Sequence, residues 1–457
     1  MIERQILKFF EETFGKDKFT TEREDLICYA YDAMNMSYLP DAVVFPENVK
    51  DVVNVMRIAN ENRIPVVPRG AGSGLTGGSI PINGGIVLSF ESMNRIKKID
   101  IENLTAVVEP GVVTGELHRR VESMGLFYPP DPASLDFCTL GGNVAENAGG
   151  LRAVKYGVTK DYVLGLEVVL PDGSVVKPGL ETVKGVVGYD LVRLFVGSEG
   201  TLGVVTEIIL KLIPRPPAKI TFLVSFNNIE SALHTVTDIF RGGILPSTIE
   251  FIDKICIELI NKFLNLGISS DASALLLIED DGNLDSVRHN GVIIEKIVKE
   301  NGAFNIERAE SPERIQQLWK ARRGISPSLA RVAPYKLNED VTVPRSRLAD
   351  LLKETYRIGE KYSVKIANFG HAGDGNIHVN VLYSSAEEKE RADKAVEEIM
   401  RKTVELNGTI SGEHGVGLAK KQFINIELDK VRINLMKDIK KVFDPNGILN
   451  PGKIFGD

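Results

Sequence analysis

The sequence predicts an α+β protein of more than one domain, and three observations predict it. Between residues 64 and 212, short β-type runs are broken by glycine, without regular strand–helix alternation. Three prolines within Ile213–Lys219 then stop helix and strand alike. Beyond them, strands alternate with single helices.

The elements follow in order. Residues 2–14 place Ile6, Phe9, Phe10 and Phe14 on one side of a helix. A second helical pattern covers 48–62, and a short strand follows at 64–67. Strand runs stand at 86–90, 105–109, 163–170 and 203–210. After the prolines, strands at 220–226, 248–253 and 273–279 alternate with helices near 229–241, 254–264 and 284–300. Helical stretches recur at 311–331, 346–361 and 386–406. That rhythm suits an open antiparallel sheet with helices on one face, a ferredoxin-like arrangement.

Composition removes several classes of function. The chain has 457 residues, 55 basic and 62 acidic, for a net charge of −7. A nucleic-acid binder held by phosphate neutralisation needs a basic stripe, so nucleic acid is not expected as a partner. Cys28, Cys138 and Cys256 stand far apart. They are too few for a thiolate-ligated iron–sulfur cluster and form no disulfide framework, which fits a reducing cytosol. No apolar run approaches ~18 residues, so no membrane-spanning helix is expected. The opening residues, MIERQILKFFEE, lack the apolar region of a signal peptide.

Glycine is concentrated where backbone must approach something closely. Of the 42 glycines, 23 lie between Gly70 and Gly203, and 13 of these fall into three blocks. The first, Pro65–Ser79, contains a literal GxGxxG at Gly72–Gly77. A dinucleotide fingerprint of that type must open a helix. Here Ile80-Pro81 and Asn83-Gly84-Gly85 follow, which are poor helix material. A concave nest of backbone N–H groups holding a phosphate fits better. The second block, Asp131–Gly157, lines up small residues with Thr139, Asn143 and Asn147, a backbone against which a flat ligand can lie. The third, Val196–Glu207, repeats the opportunity at Gly197, Gly200 and Gly203.

Histidine is concentrated elsewhere. Three of the six lie between His371 and His414. His371 and His378 would face opposite ways on one continuous strand, but Gly373–Asn376 reads as a turn able to bring them together. Glu413 is the available third ligand, and two histidines with one carboxylate suit a divalent transition metal. The competing reading is that these histidines satisfy local hydrogen bonds. Arg322, Arg323, Arg331 and Lys336 supply cations for a carboxylate, although a solvated helix face explains Arg323 better. Trp319, the single tryptophan, reads as a core residue.

The three glycine blocks, with NFGHAGDGNIHVN at 368–380 and SGEHGVG at 411–417, resemble the flavoprotein family of vanillyl-alcohol oxidase and p-cresol methylhydroxylase. The likeness spans Asp41–Phe455 and is strongest to the branch of glycolate oxidase D-subunits, D-lactate dehydrogenases and D-2-hydroxyglutarate dehydrogenases. It implies a two-subdomain FAD-binding domain over 1–212, a cap over 213–410, and a C-terminal helical segment, 411–457, returning to the first domain. By the resemblance, Pro68, Arg69, Gly70, Ala71, Gly72, Ser73, Gly74, Leu75, Thr76, Gly77 and Ser79 would cradle the pyrophosphate. Pro132, Thr139, Gly142, Asn143, Ala145, Gly149, Gly150 and Tyr156 would contact the flavin and ribityl chain. Glu199, Gly200, Gly203, Val204 and Asn450 would complete the FAD site. Some relatives bind FAD covalently through a histidine where Ser73 stands here, so non-covalent FAD is expected.

The resemblance also implies roles for side chains. His371, His378 and Glu413 would hold a divalent metal, zinc or manganese or iron. His414 would be the catalytic base. Arg322, Ser326, Lys336 and Asn380 would bind substrate. The expected activity is FAD-dependent oxidation of a short D-2-hydroxyacid, D-lactate or glycolate, with D-2-hydroxyglutarate as the alternative. A non-redox transferase of the alkyl-dihydroxyacetonephosphate synthase type and a non-catalytic flavin subunit are the rivals. With no cluster or haem motif in the chain, electrons are expected to leave through an electron-transfer flavoprotein or an iron–sulfur subunit. A homodimer is compatible with this, and the expected location is cytoplasmic, with any membrane contact made through a partner.

Overall fold

The computed structural model describes residues 2–34, 36–264 and 268–455. The chain forms two compact units. One comprises Met1–Ala148, Val158–Arg215 and Glu413–Asp457, the other Gly149–Gly157 and Pro216–Gly412. No helix among the described residues is long and apolar enough to cross a membrane.

The first unit holds a four-stranded sheet in the order Phe19–Thr20, Ala42–Val44, Ile86–Ser89, Val66–Arg69, the last three parallel. Helix Val49–Asn62 packs on it through Val52, Val55, Met56 and Ala59, the spacing of one helical face. Its first turn is closed by the Asn48 side chain, which accepts from the Asp51 N–H. Phe10 and Phe14 of helix Arg4–Phe14 enter the same core. A five-stranded antiparallel sheet follows, ordered Ile96–Asp100, Thr105–Val108, Val204–Lys211, Val163–Val169, Val175–Val176.

The second unit is built on a seven-stranded antiparallel sheet. Its order is Asn305–Ala309, Ala218–Phe226, Ala274–Gly282, Thr248–Asp253, Lys365–His371, Asn376–Tyr383, Tyr335–Thr342. Helices cover both faces, where the sequence pattern suggested one. Leu223, Ile252, Leu275, Leu277, Phe369 and Leu382 share a face and pack with Cys256 and Ile260 of helix Lys254–Leu264 and with Leu318 and Trp319 of helix Pro312–Arg323. On the opposite face, Gly291 of helix Leu284–Glu300 sits against Ile220 and Phe222. Helices Ile229–Arg241, Leu348–Tyr362 and Ala386–Glu405 pack on the sheet as well. The strands are apolar at consecutive positions because both faces are covered.

The helical stretch at 311–331 is not continuous. Its first helix ends at Arg323, and a short turn, Ile325–Ser328, restarts after Gly324. Pro327 accounts for the break, since its ring would collide with the residue 323 carbonyl in an unbroken helix.

Candidate active site

Within the first unit, the first and third glycine blocks meet the 131–148 part of the second. The strand Val66–Arg69 ends in the glycine loop, and no helix follows the GxGxxG string. Gly70 lies so close to Thr139 that a Cβ there would stand 2.2 Å from the threonine Oγ1. Thr139 caps helix Leu140–Glu146 by accepting from the Gly142 N–H. The third block joins the second through Glu199 N–H to the Ala145 carbonyl, 2.8 Å, and Gly197 N–H to the Val144 carbonyl, 2.9 Å. Asn450 fastens the first and third, donating from Nδ2 to the carbonyls of Gly78 and Glu199. Asn143 is buried and donates to Thr114 Oγ1 at 2.7 Å. Val204 opens strand Val204–Lys211, and Gly203 just before it gives room to Val168 and Phe195.

The loop suits an anionic group. Among the described residues, Gly77 alone of Gly70–Ser79 has its N–H on a protein acceptor, Asp32 Oδ2 at 2.9 Å. The other donors remain for a ligand, as an anion nest requires. Positive charge lies beneath. Arg69 is buried and donates to Ser79 Oγ, and Lys453 is buried with its ammonium on the Ile80 carbonyl. Burial pulls Lys453 down to about 8, against the opposing pull of Asp32 and Glu199. Burial likewise pushes the Asp32 carboxyl up, although the N–H groups of Met34 and Gly77 oppose it.

Glu199 braces a turn within the first unit. Its Oε1 accepts from the Val416 N–H at 2.8 Å and its Oε2 from Gly417 N–H at 2.7 Å. It therefore holds the turn that carries His414. Thr76 helps, with its hydroxyl on the His414 carbonyl and its own carbonyl accepting from Leu418 N–H. His414 Nε2 stands 4.0 Å from Glu413 Oε1.

The second unit positions the other histidines by register. Phe369 lies opposite His378, and His371 opposite Asn376, so both imidazoles project from one face of the paired strands. Their rings are 5.1 Å apart and nearly perpendicular. Glu413 is one peptide bond beyond Gly412, whose N–H is held by Asp340. Ligand atoms of His371, His378 and Glu413 all fall within 4.8 Å of one another, a spacing that can hold a metal ion.

Sequence reasoning missed Glu250. It lies opposite His371 on the neighbouring strand and is completely buried. Its Oε1 is 2.6 Å from His371 Nδ1, and its Oε2 accepts from Arg322 Nε at 2.6 Å and Nη2 at 2.5 Å. Burial alone would raise this carboxyl, but Arg322 and His371 outweigh it and bring it down to about 2. The available signal was an acid flanked by Ile249 and Phe251 in the strand run TIEFID.

Ser326, Lys336 and Asn380 fall in the second unit. Lys336 donates to Ser326 Oγ at 2.7 Å and to its carbonyl at 3.1 Å. Burial lowers the Lys336 ammonium. Asn380 is fully buried on the same face as His378, two residues away. Gly149 and Gly150 also belong to this unit, and Tyr156 donates to Asp281 Oδ1 at 2.8 Å beside Lys155. Trp319 is a core residue whose Nε1 donates to Glu279 Oε2 at 2.9 Å.

Residues 215–454 match the C-terminal domain of FAD-linked oxidases, and residues 40–179 match an FAD-binding domain. The chain is 46% identical to glycolate oxidase subunit GlcD of Bacillus subtilis (strain 168), over 100% of this chain and 97% of that one. It is 38% identical to D-lactate dehydrogenase of Anaerostipes hadrus, over 91% and 89%. It is 35% identical to D-2-hydroxyglutarate dehydrogenase of Stutzerimonas stutzeri (strain A1501), over 96% of each. Among solved structures, p-cresol methylhydroxylase superposes with a TM-score of 0.81 over 99% of this chain and 96% of that one, at 21% identity. That last likeness confirms the fold.

Proposed function

The chain belongs to the FAD-linked oxidase family, and on that premise we propose that it oxidises a short 2-hydroxyacid to the 2-oxoacid. D-Lactate or glycolate is the substrate favoured, with D-2-hydroxyglutarate as the alternative, in line with the names of the relatives. The observation that carries the reading is the convergence of His371, His378 and Glu413. FAD, when bound, supplies the acceptor for a hydride, and a zinc, manganese or iron ion would acidify the substrate hydroxyl.

The chain's own residues do the rest. His371 and His378, held on one face of two paired strands, and Glu413 form the ligand set. His414 takes the hydroxyl proton on an imidazole nitrogen. Arg322 is engaged with Glu250 through Nε and Nη2, and its other terminal nitrogen serves the substrate carboxylate. Lys336, fixed by Ser326, adds a second cation, and Asn380 a polar contact. Fixing the carboxylate orients the reacting carbon. Two-electron reduction then requires an acceptor, and the three separated cysteines cannot ligate a cluster, so a partner redox protein receives the electrons.

The test is His414→Ala. FAD stays bound, while anaerobic flavin reduction by substrate slows by about 10²–10⁴, the usual worth of a general base. An unchanged rate would remove His414 from the reaction.

A further inference from the structure

We propose that Glu250 is the positioning residue that ties the metal-ligand histidine to the carboxylate-binding arginine, holding His371 with its proton on Nδ1 and Arg322 with its fork turned inward. This rests on the proposed function above for its use of the metal and the substrate carboxylate. The geometry that carries it stands independently.

Glu250 has no solvent exposure, and both its oxygens are used at short distance. Oε1 meets His371 Nδ1 at 2.6 Å, and Oε2 meets Arg322 Nε at 2.6 Å. A carboxylate accepts and does not donate, so the His371 nitrogen facing it carries the proton. The lone pair of that imidazole is then on Nε2, the nitrogen that would bind a metal. A ligand histidine whose other ring nitrogen donates to a carboxylate is fixed in tautomer and orientation and gains basicity. The strand register makes the contact inescapable, since Glu250 and His371 are direct antiparallel partners.

The second arm acts on Arg322. Its guanidinium is buried, lies 4.7 Å from the Phe369 ring centroid, and is forked onto Glu250. Phe369 is itself the register partner of His378. Glu250 thus neutralises the arginine and sets its plane, so that one buried acid sets both the metal ligand and the anchor. Without it, Arg322 would be a buried charge lacking its counterion, and His371 would be free to turn its ring.

The experiment uses flavin-loaded protein with its histidines labelled in ¹³C and ¹⁵N. In the wild type, His371 is expected to be protonated on Nδ1, both before and after zinc is added. A bare Nδ1 would overturn the assignment without any variant being needed. In Glu250→Gln, zinc affinity measured by chelator competition is expected to fall about 10–100-fold. The KM for the 2-hydroxyacid should rise as well, with FAD retained. Glu250→Asp should recover part of the zinc affinity. Wild-type zinc affinity in Glu250→Gln would overturn the positioning role. Failure of every 2-hydroxyacid to reduce the flavin would refute the proposed function and leave the tautomer result intact.

Discussion

At the scale of single residues, buried charge is the recurrent device. Lys453 lies under the glycine loop with an ammonium that burial has brought down to about 8 from its ordinary 10.5. The sign follows from linkage. Between pH 8 and 10.5 the unfolded chain binds the proton that the folded chain has released, so stability rises with pH across that window. Relative to Lys453→Met, which cannot titrate there, the wild type should gain roughly 3 kcal/mol in denaturant unfolding from pH 8 to 10.5. A flat difference would show that the charge is not strained. Neither Lys453 nor Glu250 was legible in the sequence as a special residue. A lysine near a C-terminus and an acid in a strand become distinctive only when their burial is known. His371, His378, Glu413 and His414 were legible because histidine is rare here and its clustering stands out.

At the scale of elements, the strand pair Lys365–His371 and Asn376–Tyr383 is what turns a sequence spacing into a site. Residues seven apart face opposite ways on one strand, and the intervening turn reverses that by setting Phe369 opposite His378. Gly375 makes the turn possible. Its φ is +89°, and a Cβ there would lie 2.0 Å from the Val343 carbonyl oxygen. Gly375→Ala should therefore shift the turn, destabilise the protein by about 1–3 kcal/mol, and lower zinc occupancy in elemental analysis. Full zinc retention at unchanged Tm would separate the turn from the histidine pairing. The turn was readable from Gly373-Asp374-Gly375-Asn376. The helix break at Gly324 was not read, although Pro327 marks it, because apolar spacing continues through the segment. The helices on the second face of the large sheet were missed for a related reason: periodicity shows that a helix is amphipathic, not which face of a sheet it covers.

At the scale of the whole molecule, the glycine blocks and the histidine cluster divide between two chemistries. One is backbone suited to an anion, and the other is a cluster of side chains that could hold a metal ion. The first and third blocks and the 131–148 part of the second converge within the first unit through Thr139, Glu199 and Asn450, contacts that no local pattern reveals. The literal GxGxxG string was correctly set aside, because no helix follows it. Substrate choice among short 2-hydroxyacids depends on the side chains around the substrate tail, which sequence spacing does not place. The most direct measurement is an anaerobic titration of the flavin-loaded protein with D- and L-lactate, glycolate and D-2-hydroxyglutarate, followed by flavin absorbance. Bleaching by D-lactate or glycolate, with release of the matching 2-oxoacid, is the predicted result. A flavin that stays oxidised with every one of them would contradict the account.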